Sequence, residues 1–405
     1  MDKNINYTRL SKLLGAFVLV LLGAVLVFVV RARMRVELRD AQGESLPALA
    51  ETTSSPVIPV VAEEVPAVPT PTPAPTPVPE PEYYTISLVG DCTLAEDKSK
   101  RGWSTAFSSV VGKNYGYPFQ NTADYFRDDY MTIANLECTL TDNKYDTIEW
   151  FGFLGPAAYV NILTEGCVDF VTLANNHTLD FGSAAYSDMT KALKSVNMAF
   201  AGENEIRVFQ RSDGLKVGIY CLYNEKKPTA ALLESGYQRL LDAGAELTIA
   251  ALHWGDEGAY TVNDTQTSMG HYAIDLGFNV VYGCHSHRLE PVEAYNGGLI
   301  FYSLGNWSFG GHTNPDDYDT AIGQFTVKKV GDELSIDSIT LIPCSISSSA
   351  HNHAGHSVSD NCLNDYCPTP YEEGSADWDR VLSKLDGSFE GANYQTDYQS
   401  IVYGT

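Results

Sequence analysis

Seven short apolar runs in this chain stop abruptly on polar residues, and that recurrence limits the fold more than any other feature. They are YTISLVGD, YMTIANLE, CVDFVTLANNH, KVGIYCLYN, ELTIAALHWG, FNVVYGCHSH and LIFYSLGN. Runs of this length, bounded by Gly or polar residues, read as buried strands. Mixed segments lie between them, and SAAYSDMTKALKSVN and TQTSMGHYAIDLG read as helices. The alternation predicts an α/β domain. Further on, IGQFTVKKVGDELSIDSITLIP predicts a β-hairpin turning at VGDE, and residues 346–405 show only weak periodicity.

In open α/β sheets, ligands gather outside the carboxyl ends of the strands. Here those ends carry Asp91, then Asn135 and Glu137, then Asn175, Asn176 and His177, then His253, then His285 and His287. Carboxylate, amide and imidazole with no thiolate form a donor set for divalent metals such as Mn, Fe or Zn, one ion or two. Each residue alone also has a plainer role. Asp91 reads equally as a turn residue, Glu137 as a cap, and His253 beside Trp254 as a packed core group. The Asn-Asn-His run is more demanding, because burying those groups unpaired costs a few kcal/mol each. The pair His285 and His287 is the most pointed, since residues two apart in extended backbone face one side. Recurrence at so many strand ends favours ligands. Asp180 either orients His177 or stabilises the next helix. Arg288 either meets an anionic group or is solvated.

Residues 13–30 are continuously apolar and as a helix reach roughly 27 Å, enough to cross a bilayer core. No small-residue cleavage site follows, so the reading is an uncleaved signal anchor behind a cytoplasmic tail at 1–12. Basic residues flank the span on both sides (Lys3, Arg9 and Lys12; Arg31, Arg33, Arg35 and Arg39), so charge does not set its direction. Residues 31–82 form a linker whose Pro-rich part, 56–81, predicts an extended stalk of about 3.1 Å per residue. A stalk of that kind implies a single-pass protein of the cell membrane with an extracellular domain at 83–345 and an extension at 346–405.

The net charge of −25 disfavours a nucleic-acid partner. Eight cysteines without a C-x-x-C pair exclude a zinc ribbon or thioredoxin motif. Cys92, Cys138, Cys167, Cys221 and Cys284 read as small buried hydrophobes, while Cys362 and Cys367 are free to pair. Neither a G-x-S-x-G elbow nor a P-loop is present. Lys98, Lys100 and Arg101 either steer an acidic polymer or line a plain loop. The loop histidines His351, His353 and His356 are left out of the site.

The order of SLVGD, TIANLECTLTD, FGFLGP, VDFVTLANNHTLDFG, AALHWGDE, VVYGCHSHRLEPVE and IFYSLGNWSFG resembles the CapA family of poly-γ-glutamate capsule-biosynthesis proteins, from about Tyr83 to Pro343. That family is similar in fold to the calcineurin-like metallophosphoesterases and is typically tethered by an N-terminal anchor. The resemblance implies a metallophosphatase-like layered sheet sandwich after one transmembrane helix and a Pro-rich stalk. It also implies roles. Asp91 and His287 hold a first metal, Glu137 bridges, Asn176, His253 and His285 hold a second, and His177 gives the proton. Two departures stand out. The phosphoesterases carry D-x-H on the first strand where this chain has Asp91-Cys92-Thr93, and Ser286 replaces the Pro frequent between the two histidines.

The expected function is a metal-dependent, phosphoesterase-like hydrolase acting on a cell-surface or capsule polymer or on a phosphoester. The alternatives are a non-catalytic accessory of polyglutamate synthesis and export, working beside other capsule-synthesis membrane proteins, and a metal-assisted amidase or transpeptidase. A chain this acidic needs a local basic patch or bridging cations to receive an anionic polymer.

Overall fold

Period-two alternation decides which way each strand faces. In the segment 217–223 of the computed structural model, Ile219 and Cys221 enter one core while Tyr220 and Leu222 enter another. The segment 247–253 repeats this, with Ile249 and Ala251 on one side and Ala250 and Leu252 on the other. Strands apolar on both faces must be covered on both, and the chain does so with two sheets face to face and helices outside. The structure describes residues 79–147, 151–223, 229–349 and 364–403.

The first sheet holds β1 (Glu82–Thr93), β2 (Met131–Leu136), β5 (Phe170–Thr172), β6 (Ala199–Ala201) and, from later in the chain, β13 (Asn306–Phe309), β14 (Asp319–Val330), β15 (Glu333–Ser345) and β16 (Thr369–Pro370). A small pair, β3 (Thr139–Leu140) and β4 (Leu154–Gly155), lies apart from it. The second sheet holds β7 (Glu205–Phe209), β8 (Val217–Tyr223), β9 (Leu247–His253), β10 (Val280–Cys284), β11 (Val292–Tyr295) and β12 (Gly298–Phe301). The helices are α1 (Phe107–Val111), α2 (Val160–Glu165), α3 (Gly182–Ser195), α4 (Ala230–Asp242), α5 (Asp264–Leu276) and α6 (Ala376–Leu385). The core between the sheets joins Ile86, Ile133 and Phe170 to Ile219, Ile249 and Val280. Met189 and Leu193 of α3 cover the outside of the first sheet, and Leu233, Leu240 and Ala273 of α4 and α5 cover the second. The result is a mixed α/β, sheet-rich fold in layers, with the predicted helices at α3 and α5 and the predicted hairpin at β14–β15.

β1 sits inside its sheet. It runs antiparallel to β14 over Glu82–Leu88 and parallel to β2 and, near its end, to β13. Its pairing with β2 slips by one residue between Leu88 and Asp91. Val89 and Cys92, three apart, both enter the outer core, so the extra residue turns Asp91 inward where strict alternation would turn it out. Gly90 permits this, because a Cβ there would lie 2.1 Å from the Gly305 carbonyl oxygen.

The described residues beyond 345 are built into the same unit. β16 pairs with β15, and Val381 and Leu385 of α6 join the core between the sheets. Sequence reasoning missed that helix, although Trp378, Val381, Leu382 and Leu385 stand at i, i+3, i+4 and i+7. Cys92, Cys138, Cys221 and Cys284 are buried and Cys167 is half-buried. Cys367 is buried too, its sulfur accepting from the amides of Gln120 and Asn121, while Cys362 lies outside the described residues. The apolar run 13–30, His351, His353 and His356, and all but the last three residues of the Pro-rich stretch also lie outside them. Among the described residues no helix is long and apolar enough to cross a membrane.

Candidate metal centre

The inner face of β2 reads Met131, Ile133, Asn135 and then, one step past the strand, Glu137. The first two are core residues, so the same alternation that buries them carries the next two to the carboxyl edge. β9 does the same with Ile249, Ala251 and His253. The β1 bulge supplies Asp91, the turn after β5 supplies Asn175, Asn176 and His177, and the turn after β10 supplies His285 and His287.

These side chains meet. Asn135 Nδ2 donates to Asp91 Oδ1 at 2.8 Å, and Asn135 Oδ1 accepts from Thr172 Oγ1 at 2.8 Å and Asn175 Nδ2 at 3.1 Å. His253 Nε2 lies 2.8 Å from Asn176 Oδ1, 3.1 Å from His285 Nδ1 and 3.5 Å from Glu137 Oε1. His287 Nδ1 lies 2.9 Å from Asn306 Oδ1 and 3.4 Å from Asp91 Oδ2. His177 Nδ1 lies 2.8 Å from Asp180 Oδ2, with its ring edge-on to Phe153. The nine strand-end residues named from the sequence thus come together at one sheet edge, and Asp180 joins them through its bond to His177.

The two histidines after β10 do not converge as extended backbone. His285 has φ 108° and His287 φ 56°, left-handed conformations that a non-glycine residue rarely adopts. The strand ends at Cys284, and the following turn aims the rings. The backbone N–H of Gly258 donates to Ser286 O at 2.7 Å, and Ser286 Oγ donates to Arg288 O at 2.9 Å. The rings consequently serve different groups of donors, with centroids 6.4 Å apart.

Two groups have donor atoms mutually within 4.8 Å: Glu137 with His253 and His285, and Asp91 with Glu137 and His287. Glu137 belongs to both. Its two oxygens are buried, and neither has a hydrogen-bond partner among the described residues. Hydrogen bonds normally satisfy a buried carboxylate, and an unpaired one costs several kcal/mol. A divalent cation in each group would remove that cost, and the carboxylate and imidazole donors suit Mn, Fe or Zn. The donor set fits the implied metals.

Charge in the site is ordered. Burial opposes ionisation of Asp91, but the hydrogen bond and charge of His287, with His253 and Asn135, hold its carboxyl down at about 2. Burial likewise opposes a charged His287, yet Glu137 and the bond to Asp91 push it up to about 9. His285 moves down to about 4 through burial and the adjacent His253. For His177, burial is outweighed by the bond to Asp180 and the charge of Glu137, and its pKa rises.

A cavity of about 680 Å³ opens over this edge, lined by Asn176, His177, His287, Arg288, Lys100 and Phe151 among others. Of the predicted basic cluster, only Lys100 lines this cavity, its Nζ donating to Gly311 O at 2.7 Å. Sequence reasoning passed over Thr172 and Asn306, which hold Asn135 and His287. Asn306 was signalled by the same polar stop, at the end of LIFYSLGN.

The fold and this edge define a mixed α/β protein with a two-part site suited to divalent cations. The chain belongs to the bacterial capsule synthesis protein family PGA_cap, whose profile matches residues 85–310. It is 28% identical over 194 residues to the PGA biosynthesis protein CapA of Bacillus subtilis (strain 168), covering 42% of this chain and 50% of that protein. It is 25% identical over 257 residues to the capsule biosynthesis protein CapA of Bacillus anthracis, covering 56% and 60%. The chain thus spans about half to three fifths of the length of these curated relatives. Among solved structures it is similar to a phosphatase from Mycoplasma pneumoniae at a TM-score of 0.40 and 13% identity, covering 65% of this chain and 93% of that one. That likeness is slight and decides nothing about chemistry.

Proposed function

We propose that this protein is a membrane-anchored, metal-dependent hydrolase of metallophosphoesterase type. It works outside the cell on a capsule or surface polymer such as poly-γ-glutamate, or on a phosphoester. The observation that carries the reading is Glu137, shared by two donor groups with neither oxygen hydrogen-bonded. Asp91, Glu137 and His287 would hold one cation; Glu137, Asn176, His253 and His285 would hold the other. Bound divalent cations supply Lewis acidity toward an ester or amide oxygen and lower the pKa of a water. His177 does the remaining proton work. Asp180 takes the Nδ1 proton in a hydrogen bond and fixes the ring, which leaves Nε2 to hand a proton to the departing group, an effect worth about 10²–10⁴-fold. The anchor is residues 13–30 and the stalk 56–81. The capsule names of the relatives support the polymer as substrate class and other capsule-synthesis membrane proteins as partners.

The full-length protein, purified with its metal content measured for Mn, Fe and Zn, is to be assayed on a simple phosphodiester and a γ-glutamyl polymer. Bound metal, with activity lost in His285→Ala and reduced about 10²–10⁴-fold in His177→Ala, is the expected result. Metal at background with His285→Ala as active as wild type defeats the proposal.

One observation favours a second reading, a non-catalytic accessory that guides the polymer. β1 gives the first group Asp91 alone, because Thr93 stands where the phosphoesterases carry His, and its hydroxyl donates to the Glu137 backbone carbonyl at 3.3 Å. Cells carrying His177→Ala or Asp91→Ala that still make surface polymer support the accessory. Loss of polymer in both, with the protein folded, excludes it.

A further inference from the structure

Arg288 lines the cavity beside the metal groups, yet among the described residues no carboxylate lies within ion-pair distance of it. Its Nη1 donates to His287 O at 3.0 Å, and its guanidinium carbon stands 5.8 Å from the centre of the Tyr260 ring. In a chain with 51 acidic and 26 basic side chains, a half-buried guanidinium left without an acid is conspicuous. Lys100, on the same cavity, shares the condition, its Nζ bonded to a backbone carbonyl.

The ring beneath Arg288 is itself fixed. Tyr260 Oη donates to Asp317 Oδ2 at 2.9 Å, and Lys384 Nζ stands 4.9 Å from the ring centre while donating to both Asp317 and Asp319 at 2.7 Å. Lys384 is buried, so α6 pins the aromatic platform from behind. A guanidinium held over a fixed ring loses less freedom when it binds and presents its remaining N–H groups as a planar fork. That fork matches the two oxygens of a carboxylate or phosphate.

We infer that Arg288 is the specificity-determining anion receptor of this site, binding a carboxylate or phosphate of the substrate next to the group that reacts. Tyr260 is its positioning residue. The inference rests on the hydrolase reading for what the anion belongs to, but not for whether it binds. The same cavity also carries Asp97, Glu257 and Asp316, so the receptor acts through the Arg288 fork rather than through a net positive surface.

The test titrates inorganic phosphate and, separately, glutarate into the full-length protein by calorimetry, with and without Mn²⁺. Wild type, Arg288→Gln, Arg288→Lys and Tyr260→Leu are compared, with melting temperature and Mn²⁺ stoichiometry as controls. At least one anion is expected to bind wild type. Arg288→Gln weakens it tenfold or more at unchanged Mn²⁺ stoichiometry, Arg288→Lys recovers part of the loss, and Tyr260→Leu falls between. Preference for phosphate assigns the site to a phosphoester, and preference for glutarate assigns it to a carboxylate polymer. Arg288→Gln binding both anions like wild type overturns the inference, as does a wild type that binds neither. A protein that takes up no Mn²⁺ while Arg288→Gln still loses the anion defeats the metal reading and leaves the anion receptor standing.

Discussion

Glu137 and Asp319 are both buried carboxylates, and they are treated in opposite ways. Asp319 accepts from Arg380 Nε and Nη2 at 2.8 and 2.7 Å, from Lys384 Nζ at 2.7 Å and from Tyr371 Oη at 3.0 Å. Burial opposes its ionisation, but the Arg380 bonds and Lys384 hold its pKa far below the usual carboxylate range. Glu137 has no hydrogen bond to either oxygen. A cluster closed on itself is architecture; a cluster left open is waiting for a partner from outside the chain. Glu290 takes a third course. Its Oε2 accepts from Gln266 Nε2 at 2.6 Å, and burial, only partly offset by Gln266 and Ser286, pushes its pKa up to about 8.

The largest effect that sharpens this contrast is expected at Lys384. Lys384→Met takes the buried ammonium from Asp317, which keeps the Tyr260 hydroxyl, and leaves Asp319 with Arg380 and Tyr371; it costs about 3–5 kcal/mol, the usual result of breaking a buried pair from one side, read from urea unfolding. Metal stoichiometry stays unchanged, since the closed cluster holds no ion. Glu137→Gln works in the other direction. It takes bound metal to background while stabilising the metal-free protein by about 1–3 kcal/mol, because a buried carboxylate that accepts no hydrogen bond, and faces His253 Nε2 no closer than 3.5 Å, is gone. A metal-free Glu137→Gln less stable than metal-free wild type would break the comparison.

The smallest effect is a slope at Glu290. The folded chain keeps a proton on Glu290 that the unfolded chain releases above its ordinary pKa of 4.5. Stability from this group is therefore greatest below about pH 4.5 and declines as pH rises toward about 8. Unfolding free energies measured across that window should fall more steeply for wild type than for Glu290→Gln. Parallel curves would show that Glu290 ionises freely.

The ends of β2 and β9 were legible because the period that buries Ile133 and Ile249 also aims Glu137 and His253. Asp91 was legible as a strand-end residue, but not the bulge that turns it inward, since a one-residue slip depends on the partner strand and on Gly305. His285 and His287 were legible as a pair while their backbone was not, because left-handed turns at histidine follow no local pattern. The network around Lys384 was hidden altogether. Its partners lie 65 and 67 residues away in the chain, and although Trp378, Val381, Leu382 and Leu385 mark an apolar stripe on α6, nothing in that stripe announces a buried Lys. Arg288 was visible only as an ambiguity, because neither its distance from any carboxylate nor the Tyr260 ring beside it can be read from the sequence.

The position of β1 has a consequence for synthesis. It is the earliest described strand to leave the ribosome, yet Leu88 waits for Gly323 and Glu82 for Lys329 before its antiparallel edge is covered. Until then the nascent chain carries an apolar strand with one side bare, a template for wrong partners. Zipping so distant a neighbour is slow, so this domain should lean on chaperones more heavily than its size suggests.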